Sequence, residues 1–448
     1  MTNQLGAEEC RQLVEALESA PQPTSIRLNP HKCYETPPFC APVEWCRWGG
    51  YLAERPSFTR DGHFRAGGYY VQEASSMFVG HLLETALGGE IPEGIRLLDM
   101  CAAPGGKSTL YSSIVGHKGT VVANEVIRQR ALTLADNITR WGVGNTLVTS
   151  NDPSHFASSL EGWFDVVAVD APCSGEGMFR KSEEAREGWS LENVRLSAAR
   201  QRRILADAWA ALREGGLLIY STCTFNRQEN EDNMEWLSEE FECQRVEIDV
   251  PDQWGIVRTE AGEAQCFHFY PHRTEGEGLF AAIVRKGSEE SRASRHNPKP
   301  RRSPFGEVDK KIAGQLSSYF STPYPLKFTT IGESIYAYNA NHWADQRCVA
   351  EQMSVLFSGT KVGEMFGKKF RPDHSLALAA GLRKEAFPTV ELSEEDMLRY
   401  FRREELSSVA SLAEGVNLLL WQGQPIGFTK RIGSRTNSLL PKELRIFI

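Results

Sequence analysis

Between residues 94 and 286 the chain alternates strand-length apolar runs with helical stretches, and this alternation restricts the fold more than any other feature. Antiparallel neighbours need only a tight turn between them, whereas strands separated by helices assemble as a parallel sheet with crossover connections. The runs predict strands at 95–100, 120–123, 146–149, 164–169 and 217–220. Before the last of these, Leu205, Ala208, Trp209 and Leu212 share one helix face, and Gly215-Gly216 predicts the stop. Two further apolar runs, 266–270 and 279–284, read as a closing hairpin. The class is therefore α/β.

Ligands of open α/β sheets bind beyond the carboxyl ends of the strands. Three such ends carry reactive or small residues. One is Asp99-Met100-Cys101-Ala102-Ala103-Pro104-Gly105-Gly106-Lys107, between a strand and a helix. The others are Asp170-Ala171-Pro172-Cys173-Ser174-Gly175 and Tyr220-Ser221-Thr222-Cys223-Thr224. A lone buried Cys is usually inert packing. Two thiols at neighbouring strand ends, flanking Asp170, instead suggest a nucleophile with a helper.

The 99–107 loop admits four readings. It can be a generic turn. It lacks the G-x-G-x-x-G of a dinucleotide fingerprint. It matches G-x-x-x-x-G-K-[ST] over 101–108 except that Cys101 replaces the first Gly, and 166–170 could pass for the strand and Asp that hold Mg²⁺. A Cys β-carbon obstructs close wrapping of phosphate, and Pro104 removes an N–H from any phosphate nest. The fourth reading is S-adenosylmethionine. Glu125, 20 residues beyond Gly105, then follows the second strand, where ribose hydroxyls would lie. Asn151-Asp152 after the third strand would meet the adenine, and Asp170 after the fourth the amino group or the target base. Each acid alone reads as a solvated strand-end carboxylate; their joint placement favours the cofactor.

These segments, taken in order, resemble the RNA cytosine-C5 methyltransferases of the Nol1/Nop2/Sun group. The resemblance rests on 98–107, on 170–175, and on Ser221-Thr222-Cys223 with Asn230-Glu231 following. Tyr70-Val71-Gln72-Glu73-Ala74-Ser75-Ser76, Pro271-His272-Arg273 and Gly276-Glu277-Gly278 are also similar to family segments. It covers roughly 1–286; one departure is Ser108, where many members carry Thr. The C-terminal third resembles the extension of the bacterial 16S rRNA methyltransferase F-like branch, which ends in a PUA-like module. The NusB-like domain of a sister branch does not fit in the short N-terminal region.

The resemblance implies a fold, a cofactor, a set of site residues and a substrate. The fold is a Rossmann-like class I methyltransferase sheet with an N-terminal α+β lobe and a C-terminal PUA-like β-rich module. The cofactor is S-adenosyl-L-methionine, lined by Cys101, Ala102, Ala103, Pro104, Gly105, Gly106, Lys107, Glu125, Asp152 and Asp170. Cys223 is the nucleophile and Cys173 its helper, with Asp170 and Lys107 beside them. The substrate is RNA, as 16S rRNA or the small ribosomal subunit, with tRNA as the alternative. From other classes, a P-loop nucleotidase and a catalytically silent RNA-binding scaffold stay open.

Bulk properties set limits. A net charge of −8 does not advertise nucleic-acid binding, so RNA contact must rest on local basic patches. Ten Cys without a C-x-x-C pair suit a reducing cytoplasm, and no apolar run reaches 18 residues. A monomer is expected, with no membrane and no metal. Cys266, His268 and His272 have metal-like spacing, but packing is favoured because nothing completes four ligands. The expected divisions are an RNA-binding lobe at 1–90, the methyltransferase domain at 91–286, a basic linker at 287–304, a small domain at 305–359 and the PUA-like module at 360–448. Arg180-Lys181, Lys368-Lys369-Phe370-Arg371 and Lys430-Arg431 with Arg435 are candidate phosphate contacts; solvated surface charge is the plain alternative.

Overall fold

The computed structural model describes residues 5–32, 39–287, 303–367 and 369–447. Most of the expected linker, and Lys368, therefore lie outside the described residues.

A ten-stranded sheet organises the molecule. In chain order its strands are β1 (Ile95–Asp99), β2 (Gly119–Asn124), β3 (Thr146–Thr149), β4 (Phe164–Asp170), β5 (Leu212–Thr222), β6 (Cys243–Arg245), β7 (Val257–Ala261), β8 (Ala264–Phe269), β9 (Leu279–Lys286) and β10 (Val355–Ser358). The spatial order is β7-β8-β9-β5-β4-β1-β2-β3-β10, with β6 pairing β9. Neighbours from β3 through β5 are parallel. The β8–β9 hairpin closes antiparallel on β5, as the apolar runs predict. The strand order reverses between β1 and β4, so the crevice beyond their carboxyl ends is the natural ligand site.

These strands read as continuous apolar runs because both faces are covered. One face buries Leu97, Val121, Val166 and Ile219 against Phe78, Leu82 and Leu110. The other buries Leu98, Val122, Val167 and Leu218 against Phe156, Leu205 and Trp209. Four helices matter for the site: α1 (Gly106–Val115), α2 (Arg128–Trp141), α3 (Pro153–Ser159) and α4 (Leu191–Ala211).

Two boundaries differ from the sequence reading. Helix α4 ends at Ala211, and Leu212 already opens β5. Gly215-Gly216 lies inside that strand, where the register slips from Phe164↔Leu212 to Val166↔Leu217. Gly215 takes φ 68°, and a β-carbon on Gly216 would stand 2.9 Å from the Asp165 carbonyl oxygen. The glycine pair thus marks a strand irregularity, not a helix stop. Second, a five-stranded sheet runs from Gly306 to Pro372, across the expected division at 359/360. Ser334–Asn339 pairs with Thr360–Phe366, so hydrogen bonding binds the two sides together.

The N-terminal lobe is a four-stranded antiparallel sheet built on Thr24–Leu28, Gly49–Leu52 and Tyr69–Val71. The last module has Gly415–Trp421 and Gln424–Ile432 as its central hairpin. Among the described residues, no helix is long and apolar enough to cross a membrane.

Candidate active site

Strand β1 delivers Asp99 to the crevice, and the loop after it turns sharply into α1. Gly105 caps that helix at φ 117°, and a β-carbon there would stand 3.0 Å from Leu134 Cδ1. Only glycine adopts this backbone at no steric cost. The turn leaves a cavity of about 190 Å³. Cys101, Ala102, Ala103, Pro104, Gly106 and Lys107 line one side of it. Tyr70, Gln72, Glu73 and Ser76 of the N-terminal lobe line the other, and Asp99 and Asp170 complete it. Small side chains keep the loop side open, so the backbone itself can approach a ligand.

Asp99 is buried. Ser108 Oγ donates to its Oδ2 at 2.6 Å, while Oδ1 has no partner. Burial pushes its carboxyl up to about 7. A buried polar atom without a partner, beside a cavity, suits a ligand that brings a donor. S-adenosylmethionine, with its ammonium and ribose hydroxyls, has such donors. Cys101 is half-buried, and its desolvation holds the thiol well above the usual range and makes it a poor nucleophile.

Lys107 Nζ lies 2.8 Å from Asp170 Oδ2, and Ser221 Oγ donates to Asp170 Oδ1 at 3.0 Å. Burial opposes the Lys107 ammonium, but Asp170 outweighs it and its pKa is raised. The two strand-end thiols meet: Cys173 Sγ and Cys223 Sγ are 3.2 Å apart. The hydrogen bond between them lowers Cys223 and, with burial, raises Cys173. Asp170 opposes the Cys223 thiolate and Lys107 favours it, whereas Glu229 disfavours the Cys173 one.

Sequence reasoning missed Glu229. Its buried carboxylate accepts from Ser174 N at 2.9 Å, Gln201 Nε2 at 2.8 Å and Asn226 Nδ2 at 2.8 Å. It therefore ties the Cys173 loop to the loop after Cys223. Gln201 also donates to the Pro172 carbonyl, from α4. Asp99, not among the expected site residues, could have been found by the strand-end rule, and the lobe residues lie in a segment that the resemblance picks out; nothing in the spacing of Glu229 or Gln201 announces a cavity.

Other expected residues stand farther out. Neither Glu125 nor Asp152 lines the cavity. Glu125 is buried, accepts from Ile127 N at 2.9 Å and pairs with Arg130 at 3.2 Å. Asp152 caps α3, accepting from Ser154 N at 3.1 Å. His268 Nε2 lies 3.1 Å from Glu231 Oε1, and His272 Nε2 lies 2.8 Å from Glu9 Oε2, so each ring has its own carboxylate. Among the described residues no group of three or more His, Cys, Asp or Glu could hold a metal ion. Arg180 and Lys181 both face buried Glu277, at 3.5 and 3.7 Å, which makes them an internal cluster more than a free basic pair.

Comparison with known proteins bears on this geometry. Residues 90–285 match a family model described as 16S rRNA methyltransferase RsmB/F. Residues 1–74 match the N-terminal domain, and 387–446 the PUA domain, of the 16S rRNA methyltransferase RsmF. The chain is 32% identical over 421 residues to the ribosomal RNA small subunit methyltransferase F of Klebsiella pneumoniae, covering 90% of this chain and 84% of the relative. It is 33% identical over 422 residues to that of Salmonella paratyphi A, with the same coverage. A methyltransferase homologue from Pyrococcus horikoshii aligns with TM-score 0.53 at 27% identity, over 63% of this chain and 92% of that one. A Pyrococcus horikoshii NSun6 structure with TM-score 0.53, at 20% identity over 64% of this chain and 97% of that one, shares the fold. The nucleotidase and scaffold readings give way: the chain belongs to the RsmB/F family of 16S rRNA methyltransferases and is an S-adenosylmethionine-dependent RNA methyltransferase.

Proposed function

We propose that this enzyme methylates carbon 5 of a cytosine in 16S rRNA, in the cytoplasm and as a monomer, through a covalent bond between Cys223 and carbon 6. The observation that carries the reading is the pair of thiols at 3.2 Å beside the Lys107–Asp170 ion pair. S-adenosylmethionine supplies an electrophilic methyl group when bound. The residues suited to hold it are Asp99, the small-residue loop from Cys101 to Lys107, and Glu73 and Ser76 across the cavity. Glu125 and Asp152, at the next strand ends, extend that assignment outward.

Carbon 5 of cytosine is too electron-poor to take a methyl group unaided. The Cys223 thiolate adds to carbon 6, forming a C–S bond and pushing the C5=C6 electron pair onto carbon 5. Cys does this because it is intrinsically nucleophilic once deprotonated. Asp170, held by Lys107 and Ser221, faces the ring edge and steadies the proton that gathers there. Carbon 5 would then take the methyl group, the methyl–sulfonium bond breaking with its electron pair left on sulfur as S-adenosylhomocysteine. The remaining proton on carbon 5 leaves to a water that Cys173 orients; the C–S bond breaks and the C5=C6 double bond returns.

The thiol variants test this. Cys223→Ser should abolish methylation, because a serine hydroxyl without a strong base is a far poorer nucleophile. Cys173→Ser should still attack and methylate but stall at release. It should accumulate as a protein–RNA adduct, seen as a slow, nuclease-sensitive band on a denaturing gel. An adduct with Cys223→Ser and none with Cys173→Ser would reverse the roles. Bisulfite sequencing of rRNA and tRNA from a deletion strain checks the substrate: loss of a mark in tRNA alone would sink the 16S assignment.

A further inference from the structure

The cofactor loop is not supported by the methyltransferase domain alone. Strand β10, from the C-terminal extension, adds antiparallel to β3, the parallel sheet's edge strand. Its register is Val355↔Thr149, Phe357↔Val148 and Ser358↔Leu147, with an irregularity between Val355 and Phe357. Regular pleating would send Leu356 and Phe357 to opposite faces. The extra residue cancels that alternation. Both side chains pack against one apolar cluster formed by Ala102, Ala103, Ala123, Leu134, Ile138 and Val148. Two of those six residues belong to the cofactor loop.

A hydrogen-bond chain makes the same connection independently. Ser354 N donates to Asn151 Oδ1 at 3.0 Å, and Ser150 N donates to the Ser354 carbonyl at 3.0 Å. Asn151 N donates to Asn124 Oδ1 at 3.0 Å. Asn124 Nδ2 donates to the Met100 carbonyl at 3.2 Å, and the Asn124 carbonyl accepts from Ala102 N at 2.8 Å. Asn124 is fully buried, so its bond to the Met100 carbonyl has no water to replace it. The links run from the extension, across the ends of β3 and β2, to the backbone of the loop.

We propose that the C-terminal extension is a structural part of the S-adenosylmethionine site, with Phe357 and Leu356 of β10 as positioning residues that hold the Ala102-Ala103 loop in its ligand-ready form. The proposal rests on the family's cofactor and not on the roles of the two cysteines. The extension then serves the methyl donor as well as any RNA contact, and the two ends of the coupling must respond to each other.

Hydrogen exchange on the full chain tests this. Adding S-adenosylhomocysteine should slow exchange in the 354–358 segment as well as in the loop, because a ligand that orders the loop stabilises what holds it. Unchanged exchange in 354–358 at saturating ligand would overturn the proposal. Phe357→Ala and the milder Leu356→Ala should bind S-adenosylhomocysteine about threefold to thirtyfold more weakly by calorimetry, the span of packing-mediated coupling. Phe357→Leu should restore most of the loss. The KM for RNA should stay put while that for S-adenosylmethionine rises. A folded Leu356→Ala or Phe357→Ala protein with unaltered affinity for S-adenosylhomocysteine would also overturn it.

Discussion

At the residue scale, the two thiols differ by surroundings, not by position. Both stand at the ends of adjacent parallel strands. The Cys223 thiol is lowered chiefly by the bond from Cys173 and further by the Lys107 ammonium, against burial and the Asp170 carboxylate. Cys173 has Glu229 near it and is raised. Of the two thiols, Cys223 is therefore the one whose surroundings favour the thiolate. This preference sets the sign of the pH effect. Attack needs the thiolate, so adduct formation by Cys173→Ser should rise with pH. Because Cys173→Ser also removes the thiol partner, its limb is the reference for the next comparison. Adding Lys107→Met to Cys173→Ser takes away a positive charge that favours the thiolate, so the limb should move to higher pH. Rapid-quench measurement of the adduct between pH 6 and 9 checks this; a limb that stays in place would remove Lys107 from the electrostatics of Cys223.

At the element scale, the β1–α1 turn decides whether the cavity exists. The parallel strands bring Asp99, Asp170 and Thr222 to one edge, and the turn has to pass over that edge without filling it. Gly105 accomplishes this with a backbone at φ 117°. Gly105→Ala should lose about 1–3 kcal/mol of stability through backbone strain. It should lose cofactor affinity as well, since its β-carbon would press on Leu134 of α2. Urea unfolding and calorimetry with S-adenosylhomocysteine would show both; equal stability to the parent chain would mean that the loop relaxes at no cost. Strand pairing also explains why cutting the chain at 361 is a poor way to probe the C-terminal module. The cut would strip most of Thr360–Phe366 from Ser334–Asn339 and, by removing Val362, uncover Phe328.

At the scale of the whole molecule, the modules are not beads on a string. Leu418 and Phe428 of the last module share a core with Leu316, Phe328 and Val362 of the five-stranded sheet. Ala66 of the N-terminal lobe is buried with Tyr400, Leu419 and Ile426. Charge reversal is therefore a cleaner probe than deletion. Lys430 and Arg435 are exposed on the terminal hairpin and its neighbouring strand. Lys430→Glu with Arg435→Glu should weaken RNA binding and flatten its salt dependence, by about 0.7–0.9 in slope for each phosphate no longer neutralised. Cofactor affinity should be unaffected. RNA binding titrations from 50 to 300 mM salt would show it, and an unchanged slope would leave this face without an RNA role.

The parallel sheet, the hairpin that closes it, the small-residue loop and the two strand-end cysteines are all legible in residue order. These are local properties. Period, turn chemistry and strand-end placement are written within a few residues of each feature. Tertiary structure alone decided the rest, because the rest depends on contacts between distant segments. Tyr70, Gln72 and Glu73 became a cavity wall only when the lobe folded over α1. Glu229 became the clamp on both cysteine loops only when three donors converged on a site from which water is excluded. Gly215-Gly216 reads as a helix stop by composition, yet Leu212 and Leu217 pair with β4 on either side of it and hold it inside the strand as an irregularity. Val355–Ser358, a short run without periodicity of its own, was drawn to the open edge of β3, where unpaired N–H and C=O groups were left for a strand to satisfy.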